Sequence, residues 1–179
     1  KKTRQRFSSI FSYAISRGLI EENPAYFLKD VFVITKKSKH HPQLPLEQLP
    51  ELLQRLESDK GYPITKLCTA FALHTFVRSS EFRFARWSEF DLQKGLWTIP
   101  GEREFIPGQK FSNRGAKMKL DHLIPLSPQA ITLLKEIHKY SGMTKNVFPK
   151  NGDPQGFISE STINKTLRRI GYYTNTDIC

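Results

Sequence analysis

The sequence predicts an α+β domain, mostly helical, with a small antiparallel sheet set among the helices. Three observations carry that prediction. Apolar residues recur at helical spacing in five segments, near residues 3–17, 46–56, 63–73, 128–140 and 161–170. Two short stretches, 97–99 and 117–126, have the aromatic, β-branched or alternating texture of strands. Breaks of Gly, Pro and Asn separate these segments, with no internal repeat and no low-complexity tract.

Between Thr3 and Arg17, Phe7, Ile10, Phe11, Ala14 and Ile15 fall on a helical stripe, and Gly18 is placed to end that helix. Asn23-Pro24 marks the break after it. One helix cannot bury its own face, so residues 1–30 read as the end of a domain whose beginning is missing. Residues 31–44 read as a linker, exposed over 35–45, Thr-Lys-Lys-Ser-Lys-His-His-Pro-Gln-Leu-Pro. The remaining residues, 45–179, hold a second helix over about Leu46–Leu56, with Leu49, Leu52, Leu53 and Leu56 on one face. A third helix begins near Pro63 and carries Leu67, Ala70, Phe71 and Leu73. Trp97-Thr98-Ile99 is a short strand, Gly101–Gly115 an irregular connection, and 117–126 another strand. There Met118, Leu120 and Ile124 would face one way, and Lys117, Lys119 and Asp121 the other. Pro128–Tyr140 reads as a helix with Ile131, Leu134, Ile137 and His138 on one stripe. Ser159 or Ser161 can cap a last helix bearing Ile163, Leu167 and Ile170.

The composition narrows the function. With 38% hydrophobic and 25% charged residues in 179, the chain is long enough to bury a core and too apolar to be disordered. Its longest apolar run, Leu67–Val77, is too short to span a bilayer and is interrupted by Thr69, His74 and Thr75. The N-terminal residues do not read as a secretory signal. Two cysteines, Cys68 and Cys179, make neither a disulfide framework nor a four-ligand zinc site, so a reducing, cytosolic setting is the plain reading. The five histidines have no metal-ligand spacing, and no cofactor fingerprint occurs. The net charge of +11 points to a polyanionic partner, with nucleic acid ahead of an anionic membrane surface. Nine Lys/Arg against three acids in residues 1–44 concentrate that charge near the start, Lys36, Lys37 and Lys39 among them.

Chemistry can sit in two places. In Val77-Arg78-Ser79-Ser80-Glu81-Phe82-Arg83, Ser79 or Ser80 can cap a short helix with Glu81 in its first turn. That leaves Arg78 at a sharp corner, where a guanidinium can fork onto two phosphate oxygens while Glu81 orients it. The plainer reading is a solvated corner arginine. Lys117 and Lys119 can meet a phosphate or give up a proton, or they can be ordinary solvated edge lysines.

These blocks, taken in order, resemble the tyrosine recombinases, in particular prophage-type integrases. Arg4–Ala25 is similar to the last helix of the family's DNA-clamping, core-binding domain. His74–Leu92 followed by Leu96–Pro100 is similar to the first arginine box, usually Thr-Gly-x-Arg-x-x-Glu-Leu. Phe76 stands here for that Gly and Phe82 for that Leu, so a less tight turn before Arg78 is expected. Lys117–Pro125 resembles the strand with the catalytic lysine, and counting back from Pro125 selects Lys117 over Lys119. Val147-Phe-Pro149 and Ile163–Gly171 complete the match.

The resemblance implies metal-free and cofactor-free phosphoryl transfer on double-stranded DNA through a 3′-phosphotyrosyl link, integrating and excising a prophage or genomic island. It implies Arg78 and Lys117 as catalytic residues, Glu81 as support, and Lys119, Arg114, Lys36, Lys37 and Lys39 as DNA contacts. No His-x-x-Arg occurs in the 179 residues, and Tyr172 and Tyr173 precede the place where that box would fall. Neither is therefore assigned as nucleophile. The expectation is a recombinase piece truncated at both ends, 45–179 being the N-terminal portion of the catalytic domain. Such a piece is expected to be inactive and monomeric alone, tetrameric on DNA when complete, and at home in the bacterial nucleoid. The alternative is a non-catalytic DNA-binding protein derived from an integrase.

Overall fold

The computed structural model describes residues 2–28, 42–174 and 177–178. The chain divides into two compact units, Lys1–His40 and His41–Cys179.

In the first unit, α1 spans Lys2–Ser16. Gly18, at φ +68°, turns the chain left-handed, and the Gly18 and Leu19 amides donate back to Ile15 and Ala14 at 2.9 and 3.0 Å. That pair satisfies the helix's last carbonyls, which is why glycine ends it there. Asn23 fastens the following turn, donating to the Ser8 carbonyl and accepting from the Ala25 amide. No residue of α1 is buried, and Phe7 and Ile10 are exposed. The apolar stripe read from sequence is therefore present, but uncovered among the described residues. The linker reading, with Lys36, Lys37 and Lys39, lies outside the described residues except at 42–44.

The second unit opens with a 3₁₀ turn, Leu46–Gln48, running into α2, Leu49–Glu57. Helix α3, Pro63–Thr75, starts on a proline whose missing N–H costs nothing in a first turn. It buries Ile64, Cys68 and Phe71, spaced four and three apart on one face. Phe71 sits among the rings of Phe90, Trp97 and Phe148 at centroid distances of 6.3, 5.8 and 5.9 Å. Next come α4, Ser79–Phe82, and an antiparallel sheet of β1 Phe90–Asp91, β2 Leu96–Ile99 and β3 His122–Pro125, with β2 central. Helix α5, Pro128–Ser141, is capped by the Ser127 hydroxyl, which accepts from the Ala130 amide at 3.1 Å. A hairpin of β4 Pro149–Lys150 and β5 Asp153–Phe157 precedes α6, Thr162–Arg169. Ala130, Leu134 and Ile137 of α5 close the core over α3 and β2. Burial of Leu134 and of Ile137 contributes about 1.5–3 kcal/mol each.

Several expectations are corrected. The strand read over 117–126 is only His122–Pro125. Lys119 takes φ +56°, so the chain turns, and Met118 and Leu120 stand exposed rather than on a buried face. Neither Ser79 nor Ser80 caps α4; Arg78 is itself the N-cap residue, and no side chain bonds there. Ser161 precedes α6 without a capping bond. His138 is exposed and sets its ring edge against Trp87 instead of joining the core stripe. The β4–β5 hairpin is an element beyond those expected from sequence.

Candidate functional site

Helix α3 ends on Phe76, whose amide donates to Ala72 at 3.0 Å from a left-handed conformation, φ +51° and ψ +26°. The turn before Arg78 is thus as tight as a glycine would make it, although its ring is 88% exposed. Arg78 follows in an extended conformation and opens α4. Its guanidinium is 58% exposed, and Nη1 donates to Glu81 Oε1 at 3.3 Å. Glu81 itself is 1% exposed. Its Oε1 also accepts the backbone amide of Lys117 at 2.9 Å, and its Oε2 has no hydrogen-bond partner among the described residues. One buried carboxylate therefore ties the arginine corner to the loop bearing the lysine. A charged acceptor makes such a tie about twice as strong as a neutral one.

That loop is the excursion between β2 and β3. Its neck is closed by two hydrogen bonds: the Ala116 amide donates to Pro100 O at 2.8 Å, and Gly101 N donates to the Asp121 carboxylate Oδ1 at 3.0 Å. Gly115 packs so closely that a Cβ there would lie 2.0 Å from Pro100 O. Inside the neck, Glu102 and Arg114 pair across an isolated bridge. Arg103 is buried and forks onto Glu89, Nε to Oε1 at 2.6 Å and Nη2 to Oε2 at 2.8 Å. Arg86 is buried beside it and donates to the carbonyls of Glu104 and Ser112. Burial lowers the Arg86 pKa, an effect opposed by Glu89 and Glu104.

A depression of about 340 Å³ lies along this neck, lined by Ser80, Glu102, Asn113, Arg114, Lys117 and Lys119 together with the backbone of Gly101, Gly115 and Ala116. Arg114 stacks its guanidinium 4.1 Å from the Phe111 ring centroid. The structure thus brings Arg78, Glu81 and Lys117 together through hydrogen bonds, and places Arg114 and Lys119 on the same depression as Lys117. Lys36, Lys37 and Lys39 lie outside the described residues. Four cations, Arg78, Arg114, Lys117 and Lys119, grouped around one buried anion, Glu81, favour a bound phosphate, whose oxygens an exposed guanidinium can fork onto. Among the described residues, no group of three His, Cys, Asp or Glu could hold a metal ion. No helix there is long and apolar enough to cross a membrane.

The Arg103–Glu89 pair was missed by sequence reasoning. Both residues sit in irregular segments, where no apolar period marks what is buried. The weak signal available was two opposite charges flanking Trp97, the most buried large residue of the sheet.

The chain is 43% identical over its whole length to the integrase of Enterobacteria phage P4, and spans 40% of that relative. The Tn1549 transposon integrase in complex with transposon right end DNA superposes with a TM-score of 0.74 at 16% identity, covering 94% of this chain and 57% of that one. A lambda integrase tetramer bound to a Holliday junction gives 0.65 at 17% identity, over 98% and 46%. The fold is therefore that of the tyrosine recombinase catalytic domain, of which this chain covers part. The phage integrase family profile matches residues 42–178, which contain the arginine corner, the buried carboxylate and the lysine loop, and the chain belongs to that family.

Proposed function

We propose that this chain supplies the first part of the catalytic centre of a site-specific DNA recombinase. It would serve integration and excision of a prophage or genomic island through a 3′-phosphotyrosyl intermediate. The observation that carries this reading is the shared Glu81 oxygen, which holds the Arg78 corner and the Lys117 loop on one anchor. Arg78 contacts the non-bridging oxygens of the scissile phosphate and stabilises the charge that builds on them. Lys117 passes a proton to the 5′ oxygen as the P–O bond breaks, and Glu81 orients both. Arg114 and Lys119 hold neighbouring phosphates, with Lys36, Lys37 and Lys39 doing the same from residues 31–44. The nucleophilic tyrosine and the His-x-x-Arg set have no counterpart in these 179 residues, and Tyr172 is buried. Cleavage accordingly belongs to a longer protein, in which 1–30 trails a DNA-clamping domain and 45–179 opens the catalytic one. That protein works as a tetramer on double-stranded DNA in the bacterial nucleoid, whereas this piece alone is a monomer without cleavage activity. The family's chemistry needs no cofactor.

Two assays test this. The chain should bind duplex DNA with log affinity falling linearly against log salt, and Arg78→Ala and Lys117→Ala should each flatten that slope. When the chain replaces the matching segment of the phage P4 integrase, Arg78→Ala should slow cleavage by about 10²–10³-fold. DNA affinity indifferent to salt, or a graft that cleaves normally with Arg78→Ala, would overturn the assignment. Covalent attachment of the 179-residue chain itself to DNA would overturn its inactivity.

A further inference from the structure

A proton donor has to be held at a defined place, yet Lys117 sits on an irregular loop. On one side its amide is fixed by Glu81. On the other a chain of half-buried hydrogen bonds leads back to the core. Trp97 of β2 donates its indole N–H to Glu89 Oε2 at 3.0 Å. Glu89 grips the Arg103 guanidinium with both oxygens. The remaining nitrogen of that guanidinium, Nη1, donates to the Arg114 carbonyl at 2.5 Å, three residues before Lys117. The Arg103 amide also donates to the Asn113 carbonyl at 3.0 Å. Arg103 and Glu89 side chains are 1% and 6% exposed, so the pair is shielded from water and held in one geometry. Glu89 balances the charge of Arg103, which leaves that arginine a geometric task rather than an electrostatic one. Only a planar fork with a further donor can span a carboxylate and a carbonyl together; an ammonium cannot reproduce that geometry.

We infer that Arg103, oriented by Glu89, is a positioning residue for Lys117, an inference that rests on Lys117 being the proton donor. Arg103 touches no reacting atom. It sets the height of the loop's return leg, and through it where the Lys117 ammonium meets the leaving oxygen.

The first test uses the chain itself. Arg103→Lys keeps a cation beside Glu89 but gives up the span to Arg114. Amide hydrogen exchange at Lys117 should then quicken by about tenfold or more, with the core amides of Trp97 and Ile99 unchanged. Wild-type protection at Lys117 would overturn the inference. The second test uses the graft in the phage P4 integrase, with duplexes carrying oxygen or sulfur at the bridging 5′ position of the scissile phosphate. Sulfur leaves as a thiolate and needs no proton, so loss of a proton donor is repaired by it, whereas a damaged fold or phosphate seat is not. Lys117→Ala and Arg103→Lys should both lose about 10²-fold or more on the oxygen substrate and regain most of it on the sulfur one. A double variant, Arg103→Met with Glu89→Gln, removes both buried charges together and should follow the same pattern. If Lys117→Ala is rescued while both Arg103 variants lose equally on the two substrates, the positioning role is refuted and the proton-donor reading stands. If Lys117→Ala is not rescued, the proton-donor reading falls, and the inference with it.

Discussion

Replacing Phe76 by glycine is expected to stabilise the protein, although it removes an aromatic side chain. The residue closes α3 at φ +51°, where a Cβ crowds the following carbonyl. That conformation costs an L-residue about 1–2 kcal/mol and glycine essentially nothing. Against this gain stands the greater freedom of glycine in the unfolded chain, about 0.4–1 kcal/mol. The ring contributes little, because it is 88% exposed and full burial of such a side chain is worth only about 1.5–3 kcal/mol. The balance is a stabilisation of about 0.5 kcal/mol, or a rise of about 1–2 °C in Tm for a chain of this size. Phe76→Ala is the control, since it loses the same ring but keeps the strained Cβ. Urea unfolding of the three proteins should place glycine above phenylalanine, and alanine at or below it, with unchanged m-values. A glycine variant no more stable than the alanine one would show that the left-handed turn stores no strain, and would refute the reasoning.

Glu81→Ala should cost about 2 kcal/mol, since the Lys117 amide and Arg78 both lose a charged acceptor, and should weaken DNA binding; denaturant midpoints and fluorescence anisotropy read the two effects. Gly115→Ala forces the neck open against the Pro100 carbonyl and should destabilise by about 1–3 kcal/mol, with faster exchange at the Ala116 amide. Asp59 accepts a two-pronged grip from Arg169, Nε at 2.7 Å and Nη2 at 2.6 Å, and those bonds hold its carboxyl below the usual range. Its folded pKa lies below its unfolded value near 3.9, so its contribution is present above that pH and disappears as pH falls through the folded pKa. Unfolding between pH 6 and pH 2 should therefore show an acid-dependent loss that Arg169→Ala flattens.

The helices were legible because their partners lie within one turn. Leu67, Ala70, Phe71 and Leu73 recur at helical spacing whatever surrounds them, and Gly18 ends α1 by a property of its own, although the side chains that α3 buries on its core face are Ile64, Cys68 and Phe71. The strand error at 117–121 has the opposite origin. Alternating Lys, Met, Lys, Leu reads the same in a strand as in a turn, and the deciding contact comes from Gly101, where a Cβ would lie 2.4 Å from the Lys119 carbonyl. The β4–β5 hairpin did carry a local mark, Asn151-Gly152, with Gly152 at φ +76°. Within the site, Arg78 and Glu81 are three residues apart and could be paired by inspection. Lys117 and Lys119 stood out together from the local pattern, but Lys117 was selected only through a family resemblance, because thirty-six residues separate it from Glu81. Arg103 and Glu89 were out of reach, since their bond joins two irregular segments that only the finished fold brings together.

The single oxygen shared by Arg78 and Lys117 also bears on fluctuation. If each cation hung from its own anchor, their thermal displacements would be independent, and the uncertainty in the gap between them would add. With one common anchor, a drift of Glu81 carries the corner and the loop in the same direction. The spacing offered to a tetrahedral anion then stays steadier than the absolute position of either group. A site tethered in this way can ride on a molecule that bends while keeping its internal ruler.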